Sequence, residues 1–239
     1  MNAFHKKKTD CNSCRTLDCL IKKCNPATIQ VLSQKKIQLL LKKGQSIFQE
    51  NAPVFGLFFI QKGDVKIESS SLDGKKQIVR LATDGHILGH IGFGHETYPI
   101  GATAIQDARV CFMDSGILMK ALKDNFSLSF EIMMFYSKEL RKSEIRTKYL
   151  AQMTVSEKVA FSLIYLVNTF GMDPDSQLLN VSFSRTEFGN MAGTNSDQVS
   201  RTITQLKNDS FIDTKGHKIK ILNLAGLQQM LVPYGYEWE

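Results

Sequence analysis

The sequence of 239 residues predicts an α+β chain in three successive parts: an antiparallel β-barrel or jelly roll, one long helix, and a small C-terminal unit of capped helices closed by a hairpin. Three observations predict it. From about residue 37 to residue 114, short strand-like runs are punctuated by turn pairs such as Gly63-Asp64 and Asp73-Gly74. From Ser115 to about Met153 the pattern becomes helical, with no proline and only Gly116 at its start. After Thr154, helix-capping signals and a strand-turn-strand run recur within a short span. The expected boundaries are 1–27 for a cysteine-rich arm, 28–125 for the β domain, 126–153 for the long helix and 154–239 for the C-terminal unit.

In the β domain, "FGLFFIQKGDVKIESSS" supplies two strands meeting at Gly63-Asp64, and "KQIVRLA", "HILGHI", "IGATAIQ" and "ARVCFM" supply further short ones. Many short strands with frequent turns suit a sheet closed on itself or doubled as a jelly roll. In the long helix, Met133, Tyr136, Leu140, Ser143 and Thr147 recur at spacings of 3, 4, 3 and 4, the pattern of a coiled-coil seam that weakens toward its end. The seam predicts a homodimer; the opposing reading packs these residues onto the barrel. In the last unit, "TVSEKVAFSLIYLVNTFG" is an amphipathic helix ended by Gly171, and "LLNVSF" is a short strand. Ser184 and Glu187 form an S-x-x-E capping box for one helix, and Asn195 caps a second that buries Val199, Ile203 and Leu206. "FIDTKGHKIKIL" gives a wing-like hairpin around Lys215-Gly216.

Hydrophobic residues make up 43% of the chain, enough for sizeable cores, so extensive disorder is not expected. The apolar runs "VFGLFFI" and "AFSLIYLV" fall short of the roughly 18 to 20 residues a membrane span requires, and "MNAFHKKKTD" lacks the apolar stretch of a secretory signal. A cytoplasmic location without membrane partners is expected, where thiols stay reduced. The formal net charge of +7 suits a polyanionic partner, yet residues 1–153 carry 23 Lys+Arg against 14 Asp+Glu and residues 154–239 carry 7 against 9. Nucleic-acid contact by the C-terminal unit therefore rests on individual side chains.

Those side chains are well placed for it. With Val199, Ile203 and Leu206 turned inward, the second capped helix displays Asn195, Ser196, Asp197, Ser200 and Arg201 in its first two turns, as a recognition helix in the major groove does. Arg201 can bond guanine bidentately and Asp197 can accept from a cytosine amino group. Arg185, Lys207, Lys215, Lys218 and Lys220 can meet phosphates, which position without reading sequence. The plain alternative is a solvated face on an ordinary helical hairpin; helix, strand, two capped helices and wing in this order favour DNA.

Over about residues 30 to 230 the chain resembles the cyclic-AMP receptor/fumarate-nitrate reduction regulator (CRP/FNR) superfamily. "GLFFIQKGDVKI" and "DGHILGHIGFG" are similar to its β-roll, 126–150 to its dimer helix, and "GNMAGTNSDQVSRTITQL" to its helix-turn-helix. The resemblance implies a double-stranded β-helix of the cyclic-nucleotide-binding type, a dimerisation helix and a winged helix-turn-helix. It also implies double-stranded DNA, a second copy of the chain and RNA polymerase as partners, and no enzymatic activity. The oxygen-sensing branch carries E-x-x-S-R in its recognition helix; here Asp197, Ser200 and Arg201 stand at those places, the aspartate one methylene shorter. Cyclic-nucleotide binders carry Gly-Glu and Arg-Ser pairs for the cyclic phosphate. This chain has His90 in place of the glutamate, Tyr98-Pro99 near the Arg-Ser place, and no arginine between Arg80 and Arg109, so cyclic AMP is not expected.

Cys11, Cys14, Cys19 and Cys24, spaced C-x2-C-x4-C-x4-C, can serve zinc or an iron-sulfur cluster, or remain free thiols; spacing does not separate these. The oxygen-sensing branch places three cluster ligands in an N-terminal arm as C-x2-C-x5-C and a fourth on a late strand of the barrel, where Cys111 falls. The resemblance thus implies a 4Fe-4S cluster responsive to oxygen or nitric oxide, with Cys19 or Cys24 as the third arm ligand. A lone strand cysteine such as Cys111 is otherwise a small buried hydrophobe. A competing metalloenzyme reading rests on His86, His90, His95 and Glu96, whose H-x3-H-x4-H-E spacing departs from the H-x-H pair of cupin-like enzymes. "GHILGHIGFG" does not match a Walker sequence.

Overall fold

The computed structural model describes residues 9–235; the basic cluster at Lys6 to Lys8 and the last four residues lie outside them. The described chain forms two compact units, 9–70 with 79–139, and 71–78 with 140–235.

The first unit is a β-roll of two four-stranded sheets. The first sheet orders β1 (Ile37–Leu41), β8 (Ala108–Asp114), β3 (Gly56–Lys62) and β6 (Ile87–Leu88); the second orders β2 (Ser46–Phe48), β7 (Gly101–Ala104), β4 (Val65–Ser70) and β5 (Lys76–Ala82). The pairings of β1 with β8, β2 with β7, β3 with β6 and β8, and β4 with β7 are antiparallel and join strands distant in sequence, as in a roll rather than a run of hairpins. The alternation along β3 shows why Leu57 to Ile60 are all apolar. Phe58 and Ile60 face the roll interior with Phe48, Val65, Ile67, Tyr98 and Val110. Leu57 and Phe59 face the opposite side, where they join Cys111 and Met113 of β8 and are covered by the N-terminal arm and by helices. A strand buried on both faces reads as a continuous hydrophobic run rather than an alternating one.

That outer cover is built from three helices. Helix α1 (Pro26–Lys35) begins with proline at its first position and Asn25 as cap, whose side chain accepts from the Thr28 N–H. Helix α2 (Ser115–Asp124) is capped by Asp114, and helix α3 (Phe126–Gln152) follows. The sequence reading gave one continuous helical pattern from Ser115 with the long helix placed at 126–153, and it did not name α2 or α1. Asn125 makes the break: its amide oxygen accepts from the Asn25 N–H at 2.9 Å, and its nitrogen donates to Thr28 Oγ1 and the Ala121 carbonyl, both at 3.0 Å. One buried asparagine therefore ties the start of α1 to the α2–α3 junction.

In the second unit α4 (Val155–Phe170), α5 (Arg185–Ala192) and α6 (Ser196–Asn208) pack on one another, with β9 (Ile212–Lys215) and β10 (Lys218–Ile221) as a hairpin and α7 (Leu224–Gln229) at the end. Its core holds Leu163, Ile164, Phe188, Met191, Val199, Leu206, Ile212 and Leu227, all at most 1% exposed. "LLNVSF" does not form a full strand: Leu178 and Leu179 make isolated bridges to Lys220 and Met172. Among the described residues no helix is long and apolar enough to cross a membrane.

Candidate nucleic-acid interface and thiol site

The helix-turn-helix is held by local chemistry that the sequence announces. Ser184 Oγ accepts from the Glu187 N–H at 3.1 Å while the Glu187 carboxylate accepts from the Ser184 N–H at 2.9 Å, closing the capping box of α5. The turn passes through Gly193, whose φ of +66° lies in the left-handed region. Asn195 Oδ1 then accepts from the Gln198 N–H at 2.9 Å, opening α6. The buried side of α6 is Val199, Thr202, Ile203 and Leu206. Asp197, Ser200 and Arg201 are exposed, Ser196 half-buried, all in the first two turns.

The structure refines several sequence assignments. The Asn195 oxygen is engaged in capping, and the Ser200 hydroxyl donates back to the Ser196 carbonyl at 2.8 Å, so it meets a partner as an acceptor. Lys215 and Lys218 are exposed on either side of Gly216 at the hairpin tip, whereas Lys207 is paired with Asp213 at 2.7 Å. Arg185 is half-buried in the first turn of α5. Gln198 is also exposed in the first turn of α6 and is hydrogen-bonded to Thr194.

In the first unit the arm brings four thiols to one place. Cys11, Cys14, Cys19 and Cys111 line a single cavity whose other walls include Ile21, Phe59, Met113, Gln61 and Lys36. Cys111 reaches it because β8 is registered with Gln38 of β1 on one side and Phe59 of β3 on the other, which fixes its side chain on the outer face. Cys19 and Cys24 flank a 3-10 turn over Leu20–Lys23, and of the two only Cys19 lines the cavity; Cys24 is buried nearby in the same hydrophobic core. Among the described residues no group of three or more His, Cys, Asp or Glu is drawn tightly enough to hold a metal ion, so the thiols surround a space rather than converge on a point.

The sulfurs are met by N–H donors. Lys36 Nζ donates to Cys11 Sγ at 3.1 Å, Gln61 Nε2 to Cys14 Sγ at 3.5 Å, and Gln38 Nε2 to Cys111 Sγ at 3.8 Å. Burial pushes the Cys19 thiol up to about 12 and raises Cys111. For Cys14 burial also raises, but hydrogen bonds with Thr16 and Gln61 and the Lys22 charge together bring it below the usual thiol value. Burial also raises Cys24, to about 11. Four soft donors, apolar walls and N–H groups aimed at sulfur fit a thiolate-bound iron-sulfur cluster.

The histidines separate. His90 is 3% exposed, edge-on to Phe135 and Tyr136 of α3, while His86, His95 and Glu96 are exposed. His86 and His90 share no strand face, because the chain leaves β6 through a left-handed Gly89 into a 3-10 turn instead of continuing as a strand. Tyr98 is buried against Phe48, with ring centroids 4.3 Å apart, and its hydroxyl donates to the Gly56 carbonyl at 2.7 Å. On α3, Met133, Tyr136, Leu140, Ser143 and Thr147 are all exposed, with Met133 at 58% and Leu140 at 61%. Phe126 and Phe130 extend the same apolar surface toward the start of the helix. Tyr136 also donates to the His90 carbonyl at 2.6 Å, so it serves the roll as well as the exposed face.

A β-roll followed by a long helix and a winged helix-turn-helix defines a DNA-binding transcription regulator rather than an enzyme. The cyclic nucleotide-binding domain family matches residues 38–125 and the Crp-like helix-turn-helix domain family matches 157–230. The chain is 28% identical over 184 residues to the transcriptional activator protein Anr of Pseudomonas aeruginosa, spanning 77% of this chain and 75% of that one. It is 25% identical over 226 residues to the fumarate and nitrate reduction regulatory protein of Vibrio cholerae, spanning 89% and 88%. Its fold matches FixK2 from Bradyrhizobium japonicum with a TM-score of 0.71 at 22% identity, over 82% of this chain and 96% of that one. The chain belongs to the CRP/FNR superfamily of transcription regulators.

Proposed function

We propose that this regulator responds to oxygen or nitric oxide through a 4Fe-4S cluster held by Cys11, Cys14, Cys19 and Cys111, with Cys24 outside the ligand set. The observation that carries the reading is that these four thiols, three from the arm and one from β8, line one cavity while Cys24 does not. A cluster bound there would supply the reactivity toward oxygen and nitric oxide. The chain's own part is mechanical. The arm core contains Cys11, Ile21 and Cys24 together with Leu128, and Ile132 and Phe135 of α3 pack against it. An arm held in place thus supports the buried side of the helix whose other side shows Met133, Tyr136 and Leu140. We read that exposed stripe, continued by Ser143 and Thr147, as the homodimer seam. Loss of the arm shifts the population away from the dimer that spaces two recognition helices one DNA turn apart.

In this reading Arg201, Ser200, Asp197 and Ser196 face base edges, and Arg185, Lys215, Lys218 and the Asn195 end of α6 meet the backbone. The protein works in the cytoplasm on double-stranded DNA and contacts RNA polymerase. A cyclic nucleotide is disfavoured because the Arg-Ser place holds buried Tyr98, whose hydroxyl is already committed to Gly56, and so offers the phosphate no cation. Anaerobic purification with visible spectroscopy and iron and sulfide assays tests the proposal. Cys19→Ala is expected to abolish the visible absorbance and Cys24→Ala to leave it. A colourless, iron-free parent protein removes the cluster; zinc in its place leaves a metal-stapled regulator with another effector.

A further inference from the structure

Resting on that assignment of Cys11, we infer that Lys36 is a charge built into the fold for the thiol site, a positioning residue that sets how firmly the loaded site keeps its iron. The last turn of α1 grips the arm at its first cysteine. Ser33 Oγ accepts from the Cys11 N–H at 2.9 Å and donates to Asp10 Oδ2 at 2.8 Å, and Ser33 is 4% exposed. One turn on, Lys36 ends the helix with its N–H on the Leu32 carbonyl and directs Nζ to Cys11 Sγ at 3.1 Å.

Lys36 is 3% exposed. Lysine is almost never buried to that degree without a partner, because an ammonium taken from water is strongly destabilised unless a charge or strong acceptor faces it. A neutral thiol is a weak acceptor, whereas cysteine ligates as the thiolate. The cavity wall that Lys36 shares with Cys11 and Cys111 gives the ammonium its counter-charge when the thiols serve as ligands. Lys22 also lines the cavity, but its Nζ donates to the Cys14 carbonyl at 2.5 Å and not to sulfur. Among the described residues Lys36 is thus the cation hydrogen-bonded to a ligand sulfur, and net charge and hydrogen bonds to sulfur are what tune such clusters.

The test compares the parent protein with Lys36→Met, Lys36→Arg and, as an exposed control one residue away, Lys35→Met, all loaded anaerobically. The readouts are the rate of iron loss to a chelator without oxygen and the cluster's reduction potential. Lys36→Met should lose iron roughly 10- to 100-fold faster, the scale on which partners of metal ligands act, and its potential should shift to more negative values. Lys36→Arg should restore both, and Lys35→Met should match the parent. Lys36→Gln replaces Lys36→Met if the latter does not fold. A loaded parent with Lys36→Met, or Lys36→Gln in its place, unchanged in rate and potential overturns the role of Lys36 and leaves the cluster standing. A parent without iron and sulfide overturns both.

Discussion

Gly189 lies inside α5 and offers a prediction in which two effects oppose one another. Replacing a helical glycine with alanine stabilises a helix by about 1 kcal/mol, so on propensity alone Gly189→Ala improves the protein. The turn between α5 and α6 reverses that sign. An alanine methyl at this position would stand 2.7 Å from the Thr194 carbonyl oxygen and 3.3 Å from the Asn195 carbonyl carbon. Both are backbone atoms that cannot rotate aside, and the Thr194 N–H already donates to the Gly189 carbonyl at 3.0 Å. Overpacking of this kind costs ~1–3 kcal/mol, and a rigid neighbour places it in the upper part of that range. The expected net loss is about 1–2 kcal/mol in urea unfolding followed by far-UV circular dichroism. Because the displaced atoms lead directly into Asn195, the cap of α6, binding to a duplex selected by the parent protein should weaken as well. A variant more stable than the parent by about 1 kcal/mol with unchanged DNA affinity would show that the two helices are not packed as described here.

Arg201→Ala should cost ~1–3 kcal/mol of affinity and relax preference at one base pair, whereas Lys218→Ala should weaken all sequences alike and lower the salt slope by about 1; competition binding at several salt concentrations separates the two. Leu140→Asp, at a position 61% exposed on one chain, should yield monomers in analytical ultracentrifugation and weaken binding to a duplex with two half-sites far more than to one; a persistent dimer moves the seam elsewhere. His90 titrates near 3 rather than 6.5 because burial, then the Arg80 charge, disfavours its protonation. Its folded value lies below the unfolded one, so its contribution to stability is complete above pH 6.5 and is lost as pH falls toward 3. His90→Phe should therefore flatten the acid limb of stability over that interval, measured by urea titration at successive pH values; an unchanged limb assigns the acid sensitivity to other groups.

The helix-turn-helix was legible residue by residue because its determinants are local. Ser184, Glu187, Gly193 and Asn195 act within four residues of their partners, and the inward spacing of Val199, Ile203 and Leu206 follows from helical periodicity alone. The strands and the turns at Gly63 and Gly74 were legible for the same reason, but Gly63-Asp64 does not close a tight hairpin: it carries the chain from β3 in one sheet to β4 in the other. Helix α1 was not read, although Asn25-Pro26 is a cap followed by a first-position proline.

The fate of the five cysteines was decided only in three dimensions. Spacing left Cys19 and Cys24 equivalent; a 3-10 turn between them, seated by Ile21 in the core over β3 and β8, puts one at the cavity and the other outside it. The doubly apolar character of "FGLFFI" announced burial on both faces but could not say that the arm supplies the second cover. Lys36 carried no signal at all, since its burial depends on contacts across 25 residues with Cys11. Local hydrogen bonding and periodicity are written in short stretches of chain, whereas a site assembled from an arm, a helix end and a distant strand exists only once those pieces pack.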